Sequence, residues 1–169
     1  MIERHINDTP QTVINNNNII AEKQEKIKKL KNRIDNLIDR YSGQHLVNPG
    51  LLKVISHYLP DIFPYHPHWK MDACHNAYWE LIPTIDHIFP IALGGTDSEE
   101  NFATTSMLHN SIKSNWTLEQ LQWQLHPTGD YEEWDGLTNL FVKLVEQNEE
   151  LLKDTYIKRW YDISTTVKK

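Results

Sequence analysis

Cysteine is almost absent from this sequence, because Cys74 is the only one among 169 residues. A single thiol cannot form an intrachain disulfide, and a zinc knuckle built from four cysteines is excluded as well. Long apolar runs are also missing, since no segment approaches the ~20 apolar residues needed to cross a bilayer. The start Met1–Arg4 is not followed by the apolar stretch of a signal peptide. These absences predict a cytoplasmic protein with no membrane partner.

Positive charge is scarce, and it is unevenly distributed. The net charge is -6, which argues against a protein that holds nucleic acid mainly through a broad basic surface. Residues 21–40 nevertheless carry seven Lys and Arg against four Asp and Glu. Residues 117–169 carry six Lys and Arg against ten Asp and Glu. Any electrostatic attraction to an anionic partner is therefore expected near the front of the chain.

The front of the chain has the apolar spacing of one helix face. From Ile20 onward, apolar residues recur at steps of three and four up to Tyr41, and Gly43 supplies a stop. The pattern predicts a helix of about five turns. Because the same positions fit about three heptads, two alternatives remain open: a helix packed on its own domain, or the seam of a homodimer.

Further along, five segments have recognisable local signals. Prolines isolate a short helix around 51–58, followed by an extended aromatic-rich connector. Residues 78–92 favour a β-hairpin or paired extended arms, and Gly94 to Asp97 favour a turn.

A helix is expected from Thr105 or Ser106 through Lys113. Thr117 and Gln120 form a capping box that opens a helix to about Leu125. Periodic apolar residues from Leu137 to Trp160 predict one long helix, or two joined near Asn148.

The stretch from Asp86 to Lys113 contains residues suited to one kind of chemistry. Asp86 and His87 are adjacent, so on an extended strand their side chains leave opposite faces. Hydrolysis of a phosphodiester requires a base for the attacking water and positive charge near the phosphoryl and leaving oxygens. An imidazole and one divalent cation can supply these functions. Asn101, His109 and Asn110 follow in order.

This ordered pattern resembles the HNH nuclease family, whose ββα-metal motif grips one ion between two antiparallel strands and a helix. The resemblance covers about 81–116 and continues more weakly to Asp135-Gly136. It implies that His87 is the general base, that Asp86 is a metal ligand, and that Asn101 fixes the loop so that the imidazole points correctly. The fold it implies is α+β and mainly helical, with the ββα module embedded in helices.

The resemblance leaves the last metal ligand open between His109 and Asn110, which a helix separates by about 100°. The 23-residue spacing from His87 to Asn110 looks like the variant with Asp and Asn ligands, so Asn110 is favoured. Oxygen donors would suit Mg²⁺ or Mn²⁺, whereas a ligating His109 would favour Ni²⁺, Co²⁺ or Zn²⁺. Lys113 is expected to contact a DNA phosphate.

The resemblance implies a DNA endonuclease that leaves 5′-phosphate and 3′-hydroxyl ends, with restriction or defence as a role. The alternative is a non-catalytic DNA- or protein-binding module that keeps the HNH shape. Residues 1–45 are expected to be a basic helical extension and 46–169 the nuclease domain, with 117–169 as helical support. The lysines expected to grip DNA lie in the extension, at positions Lys26, Lys28, Lys29 and Lys31.

Overall fold

The computed structural model describes residues 37–167, which form an α+β fold with a small sheet. This confirms the predicted α+β class. Its helices and strands are, in chain order, α1 (Pro49–Tyr58), α2 (Ala77–Glu80), β1 (Pro83–His87), β2 (Phe102–Ser106), α3 (Met107–Lys113), α4 (Leu118–Leu121), α5 (Thr138–Gln147) and α6 (Thr155–Val167). Short 3-10 turns lie at Ile91–Leu93, Glu99–Asn101 and Glu149–Lys153.

The main core lies where α1 contacts α5 and α6. Asn48 caps α1 by accepting a hydrogen bond from the Gly50 amide at 2.8 Å, and Pro49 occupies the first turn, where its missing N–H costs nothing. The predicted helix at 51–58 is confirmed, with its start two residues earlier. A Cβ at Gly50 would lie 2.4 Å from the Phe141 ring, so this close helix contact requires glycine. The core is completed by apolar residues that are all buried: Leu46, Tyr78, Ile82, Val145, Leu151, Ile157 and Trp160.

The connector after α1 is not extended as predicted. Residues 59–76 form turns and bends, from which aromatic side chains such as Phe63 and Trp69 pack against the core. The prolines that separate this segment from α1 also prevent a regular strand, because they restrict the backbone and remove N–H donors.

The sheet consists of β1 and β2, paired antiparallel with Pro83 opposite Ser106 and His87 opposite Phe102. The predicted antiparallel pairing around the 94–97 turn is therefore confirmed, although its first arm is shorter than residues 78–92. Residues 77–80 are helical instead, and the partner of β1 lies beyond residue 101. The aromatic and β-branched composition of 78–92 could not show which strand would pair, because pairing depends on the route of the intervening loop.

The helix predicted from Thr105 or Ser106 through Lys113 is confirmed as α3. Ser106 is its N-cap and accepts a hydrogen bond from the His109 amide at 3.1 Å. Because β2 ends at this cap, the chain passes from strand to helix without a loop. Strand, strand and helix therefore follow each other in a compact unit.

The C-terminal part agrees with the predicted signals, with one correction. The chain breaks at Asn148 between α5 and α6, so the alternative of two helices is confirmed. The capping box of Thr117 and Gln120 is present, but α4 ends at Leu121 rather than near Leu125. Gln122 adopts φ +57°, a left-handed conformation that ends the helix. The helix therefore ends before it reaches the helix-breaking residues Pro127 and Gly129.

The predicted N-terminal helix is wrong over its last residues. Residues 37–41 are not helical, and Ile38 forms an antiparallel bridge with His45 around a turn that ends at Gly43, with φ +75°. Leu37 and Tyr41 are buried in the same body as the following helices. The predicted domain boundary at residue 45 therefore cuts through packed structure. The rest of that helix, its dimer seam and the four lysines lie outside the described residues.

Within residues 37–167, every helix is too short or too polar to cross a membrane.

Candidate functional site

Strand β1 and helix α3 bring the motif residues together. The Asn110 side-chain nitrogen donates to Thr84 Oγ1 at 3.0 Å and to the Ile85 carbonyl at 3.3 Å. Lys113 Nζ lies 2.9 Å from Asp86 Oδ2. Thr84 and Asp86 share one face of the strand, since side chains alternate, and residues three apart share one face of a helix. The Asn110 and Lys113 face of α3 therefore lies directly against the Thr84 and Asp86 face of β1.

Asp86 is held by two donors on the same oxygen. Oδ2 accepts a hydrogen bond from the Tyr41 hydroxyl at 2.7 Å as well as the contact with Lys113. The Asp86 side chain is 11% exposed. Among the described residues, no donor reaches Oδ1. Within residues 37–167, one carboxylate oxygen is therefore engaged and the other is not.

Lys113 does not lie on the surface, contrary to its expected contact with a DNA phosphate. Its side chain is fully buried, and Nζ also donates to the His87 carbonyl at 2.7 Å. The reason is the helix face: three residues after Asn110, Lys113 points toward β1 rather than solvent. Its ammonium therefore neutralises Asp86 and fixes the end of the strand.

His87 leaves β1 on the face opposite Asp86 and is partly exposed. Its Nε2 lies 3.0 Å from Asp97 Oδ1, and its ring meets Phe102 edge-on at 5.1 Å. A carboxylate can only accept here, so this contact favours the tautomer with the proton on Nε2. No described residue hydrogen-bonds to Nδ1. That nitrogen can therefore accept a proton from a water molecule.

Asn101 holds the loop that follows His87. Its amide accepts from the Phe89 N–H at 2.8 Å and donates to the Phe89 and Thr96 carbonyls at 2.9 and 2.8 Å. The expected turn at 94–97 lies inside this loop. Gly94 has φ +95°, and a Cβ at Gly95 would lie 2.1 Å from the Phe89 carbonyl, so both positions require glycine. These are the contacts expected of a residue that fixes the loop.

His109 faces a different partner from its neighbour Asn110. Its Nδ1 lies 2.7 Å from Asp39 Oδ2 and 3.0 Å from Ser106 Oγ, and its ring meets Trp123 edge-on at 5.6 Å. One imidazole nitrogen is therefore engaged in holding the start of α3. Asn110, one residue later, reaches the strand that carries Asp86.

Asp39 is a fully buried carboxylate that accepts four hydrogen bonds. Besides His109, its donors are the Tyr41 N–H at 2.9 Å, Thr105 Oγ1 at 3.0 Å and the Ser106 N–H at 2.9 Å. Burial alone would raise the pKa of Asp39, but the hydrogen bonds from Ser106, His109 and Tyr41 outweigh it and hold the pKa below its ordinary value. Asp39 therefore stays ionised and ties 37–45 to the start of α3.

Tyr41 links the same N-terminal segment to Asp86. Burial raises the pKa of Tyr41 well above its ordinary value, and the hydrogen bond to Asp86 and the negative charges of Asp86 and Asp39 add to this rise. The phenol therefore remains a hydrogen-bond donor at any ordinary pH. The centroid of its ring lies 5.5 Å from the ring centroid of Trp123, and Lys113 Nζ lies over the same ring, 5.8 Å from its centroid.

The donor set fits a small hard cation. Asn110 uses its nitrogen on β1, which leaves its side-chain oxygen, and Asp86 has Oδ1 available. Two oxygen donors suit Mg²⁺ or Mn²⁺, because such ions keep several waters and take further oxygens from substrate phosphates. Within residues 37–167 there is no cluster of three or more His, Cys, Asp or Glu side chains placed to hold a metal.

Sequence reasoning missed three residues of this site: Asp39, Tyr41 and Asp97. The first two were assigned to a helix, where Tyr41 counted only as an apolar position. Asp97 was assigned to a turn. No local signal marks them, because Asp39 and Tyr41 meet their partners across more than forty residues of chain.

Comparison of the chain with protein-family models, with curated proteins and with solved structures found no match. The resemblance to HNH nucleases that the motif residues indicate therefore stays a prediction.

Proposed function

We propose that this chain is a divalent-metal-dependent DNA endonuclease of the HNH type. One observation carries the proposal: the motif residues, ordered in the sequence, are positioned together by one strand-strand-helix unit. Asp86 and Asn110 each keep one side-chain oxygen that no residue of 37–167 engages. His87 follows Asp86 and has no described partner at Nδ1, and Asn101 fixes the loop beyond it.

In this mechanism His87 accepts a proton from water through Nδ1, while Asp97 holds Nε2. The deprotonated water attacks phosphorus. The bond from phosphorus to the 3′-oxygen breaks, and a solvent proton completes the 3′-hydroxyl while the other strand end keeps the 5′-phosphate. A divalent ion, when bound, neutralises charge on the phosphoryl and leaving oxygens.

Asn110 is the proposed ligand beside Asp86, and His109 the proposed support. The observation behind this choice is the direction of each side chain, since Asn110 contacts β1 next to Asp86 whereas His109 is engaged by Asp39 and Ser106. Oxygen ligands make Mg²⁺ or Mn²⁺ the proposed ion. Ni²⁺, Co²⁺ or Zn²⁺ would follow only if His109 were the ligand.

DNA is the proposed substrate, although the described part of the chain is strongly acidic. Residues 37–167 carry eight Lys and Arg against eighteen Asp and Glu, and Lys113 is buried. This surface would repel phosphates. The basic residues at 21–33 are therefore the proposed source of attraction, supported by the sequence alone.

The test is plasmid nicking by the wild-type chain and by His87→Ala, in Mg²⁺, Mn²⁺, Ni²⁺ and EDTA. Because the variant removes the base and keeps both oxygen ligands, cleavage should fall by at least ~100-fold while metal binding persists. His57→Ala, at an exposed position on α1, is the matched control and should cleave normally. Near-normal cleavage by His87→Ala would remove this residue from the mechanism.

A non-catalytic binding module is the second candidate, favoured by one feature. The loop beside His87 exposes three large apolar side chains, Phe89, Ile91 and Leu93, which would suit a protein surface. Asp86 and Lys113 would then be a structural ion pair. Absence of both cleavage and Mn²⁺ binding in the wild type would favour this candidate over the enzyme.

A further inference from the structure

The strand-strand-helix unit does not hold its acidic residue alone. Tyr41, which precedes the unit by more than forty residues, reaches over β1 and donates its hydroxyl to Asp86 Oδ2 at 2.7 Å. Tyr41 is only 7% exposed, so water does not compete freely for this contact. A residue outside the motif therefore contacts the proposed metal ligand directly.

The backbone that carries Tyr41 is itself fixed. Its N–H donates to Asp39, and the preceding Arg40 N–H donates to the Thr104 carbonyl at 2.8 Å. The Arg40 carbonyl accepts from the His126 N–H at 2.8 Å. The backbone beside Tyr41 is thus held from both β2 and the segment after α4.

Two donors on one carboxylate oxygen have a geometric consequence. Lys113 and Tyr41 approach Asp86 Oδ2 from α3 and from the N-terminal segment, respectively. Each contact opposes rotation of the carboxylate about its Cβ–Cγ bond, because rotation would move Oδ2 away from the donor. Together the two donors restrict this rotation more than either does alone, and they keep Oδ1 turned away from both.

We propose that Tyr41 is a positioning residue that orients the Asp86 carboxylate so that Oδ1 faces the divalent ion. This inference rests on the proposed function. In metalloenzymes, partners that hydrogen-bond to a ligand typically affect metal affinity by about 10- to 100-fold. Tyr41 acts through Asp86 and touches neither the ion nor the DNA.

Tyr41→Phe isolates the hydroxyl, because the ring contacts with Trp123 and Lys113 do not need the oxygen. The full-length chain is titrated with Mn²⁺ by calorimetry, without DNA. The Mn²⁺ dissociation constant should rise by about tenfold. Cleavage should need correspondingly more metal, while the rate at saturating metal and the KM for DNA change little.

Tyr58→Phe is the matched control, because it also removes one hydrogen-bonded tyrosine hydroxyl. Tyr58 lies on α1, and its hydroxyl accepts a hydrogen bond from the Asn148 side chain at 2.9 Å. Its Mn²⁺ affinity should equal that of the wild type. Equal affinity in Tyr41→Phe and wild type would overturn the inference while leaving the proposed function intact. Absence of Mn²⁺ binding in the wild type would overturn both.

A second measurement does not depend on the folding of a variant. If Mn²⁺ draws charge from Asp86, the hydrogen bond from Tyr41 weakens, so metal addition to the wild type should produce a tyrosine difference spectrum in the ultraviolet. Tyr58→Phe should keep this signal. A spectrum that stays flat at Mn²⁺ concentrations that saturate the calorimetric site would overturn the role of Tyr41.

Discussion

At the scale of single residues, the site depends on which way neighbouring side chains face. Asn110 and His109 are adjacent on α3, yet one contacts the strand of Asp86 and the other contacts Asp39. A turn of about 100° per residue is enough to separate a proposed ligand from a support. Their substitutions should therefore have different consequences.

Asn110→Ala should abolish Mg²⁺-supported cleavage, because it removes one of two protein oxygens proposed to hold the ion. His109→Ala should retain most cleavage at a temperature well below its unfolding transition, although removing its hydrogen bond to Asp39 should lower stability by about 1–3 kcal/mol. Nicking assays in Mg²⁺ and Ni²⁺ measure this difference. An inactive His109→Ala with an active Asn110→Ala would instead make His109 the ligand and change the metal assignment.

At the scale of elements, the start of α3 is held by a segment far away in the chain. Asp39 accepts hydrogen bonds from Thr105, Ser106 and His109, all within the junction of β2 and α3. A helix N-terminus favours a nearby negative charge, because its first N–H groups lack partners. The 37–45 segment therefore stabilises the element that carries Asn110.

Asp39→Asn should lower the free energy of unfolding at neutral pH by about 1–3 kcal/mol, because an amide nitrogen would face donors. The pKa of Asp39 is lowered on folding, so its stabilisation is fully present above the unfolded value of about 3.9 and is lost as pH falls through the folded value. Urea unfolding should therefore show a wild-type advantage that is constant from about pH 5 to 7 and shrinks below about pH 4.

Asp61→Asn, at an exposed position after α1, is the control and should show little difference from wild type at either pH. A wild-type advantage over Asp39→Asn that grows on acidification would contradict the assigned charge state of Asp39.

At the scale of the whole molecule, the distribution of charge sets how this chain could approach DNA. The described body is strongly acidic, and Lys113 is buried in an ion pair with Asp86. Long-range attraction would then have to come from the basic residues before 37. Under the proposed function, DNA affinity and catalysis should therefore be separable by mutation.

Replacing Lys26, Lys28, Lys29 and Lys31 by Gln should weaken DNA binding across sequences and flatten its salt dependence. Each DNA phosphate that the variant no longer neutralises should reduce the slope of log K against log salt by about 0.9. Fluorescence anisotropy from low to moderate salt measures the slope. The control makes the same change in net charge at Lys70, Lys143, Lys153 and Lys158, which are exposed in the described body. Equal slopes for the two variants would contradict the DNA-binding role of these four lysines, and dimerisation through this segment would become the alternative.

Local interactions are what the sequence determined by itself. Four predicted features depend only on residues within a few positions of each other, so the sequence alone could reveal them. They are the cap at Ser106, the capping box of Thr117 and Gln120, the helix at 51–58 and the break at Asn148. The order of Asp86, His87, Asn101 and Asn110 was also readable, because the proposed chemistry needs those residue types.

Only the tertiary structure decided which side chains meet across long stretches of chain. Tyr41 and Asp39 looked like parts of a helix, yet packing draws 37–41 into a turn beside β2, where burial and hydrogen bonds outweigh helical periodicity. Lys113 looked like a surface cation, yet the face of α3 turns it onto Asp86. Such contacts depend on strand register and helix rotation, and these are settled by the whole core rather than by neighbouring residues.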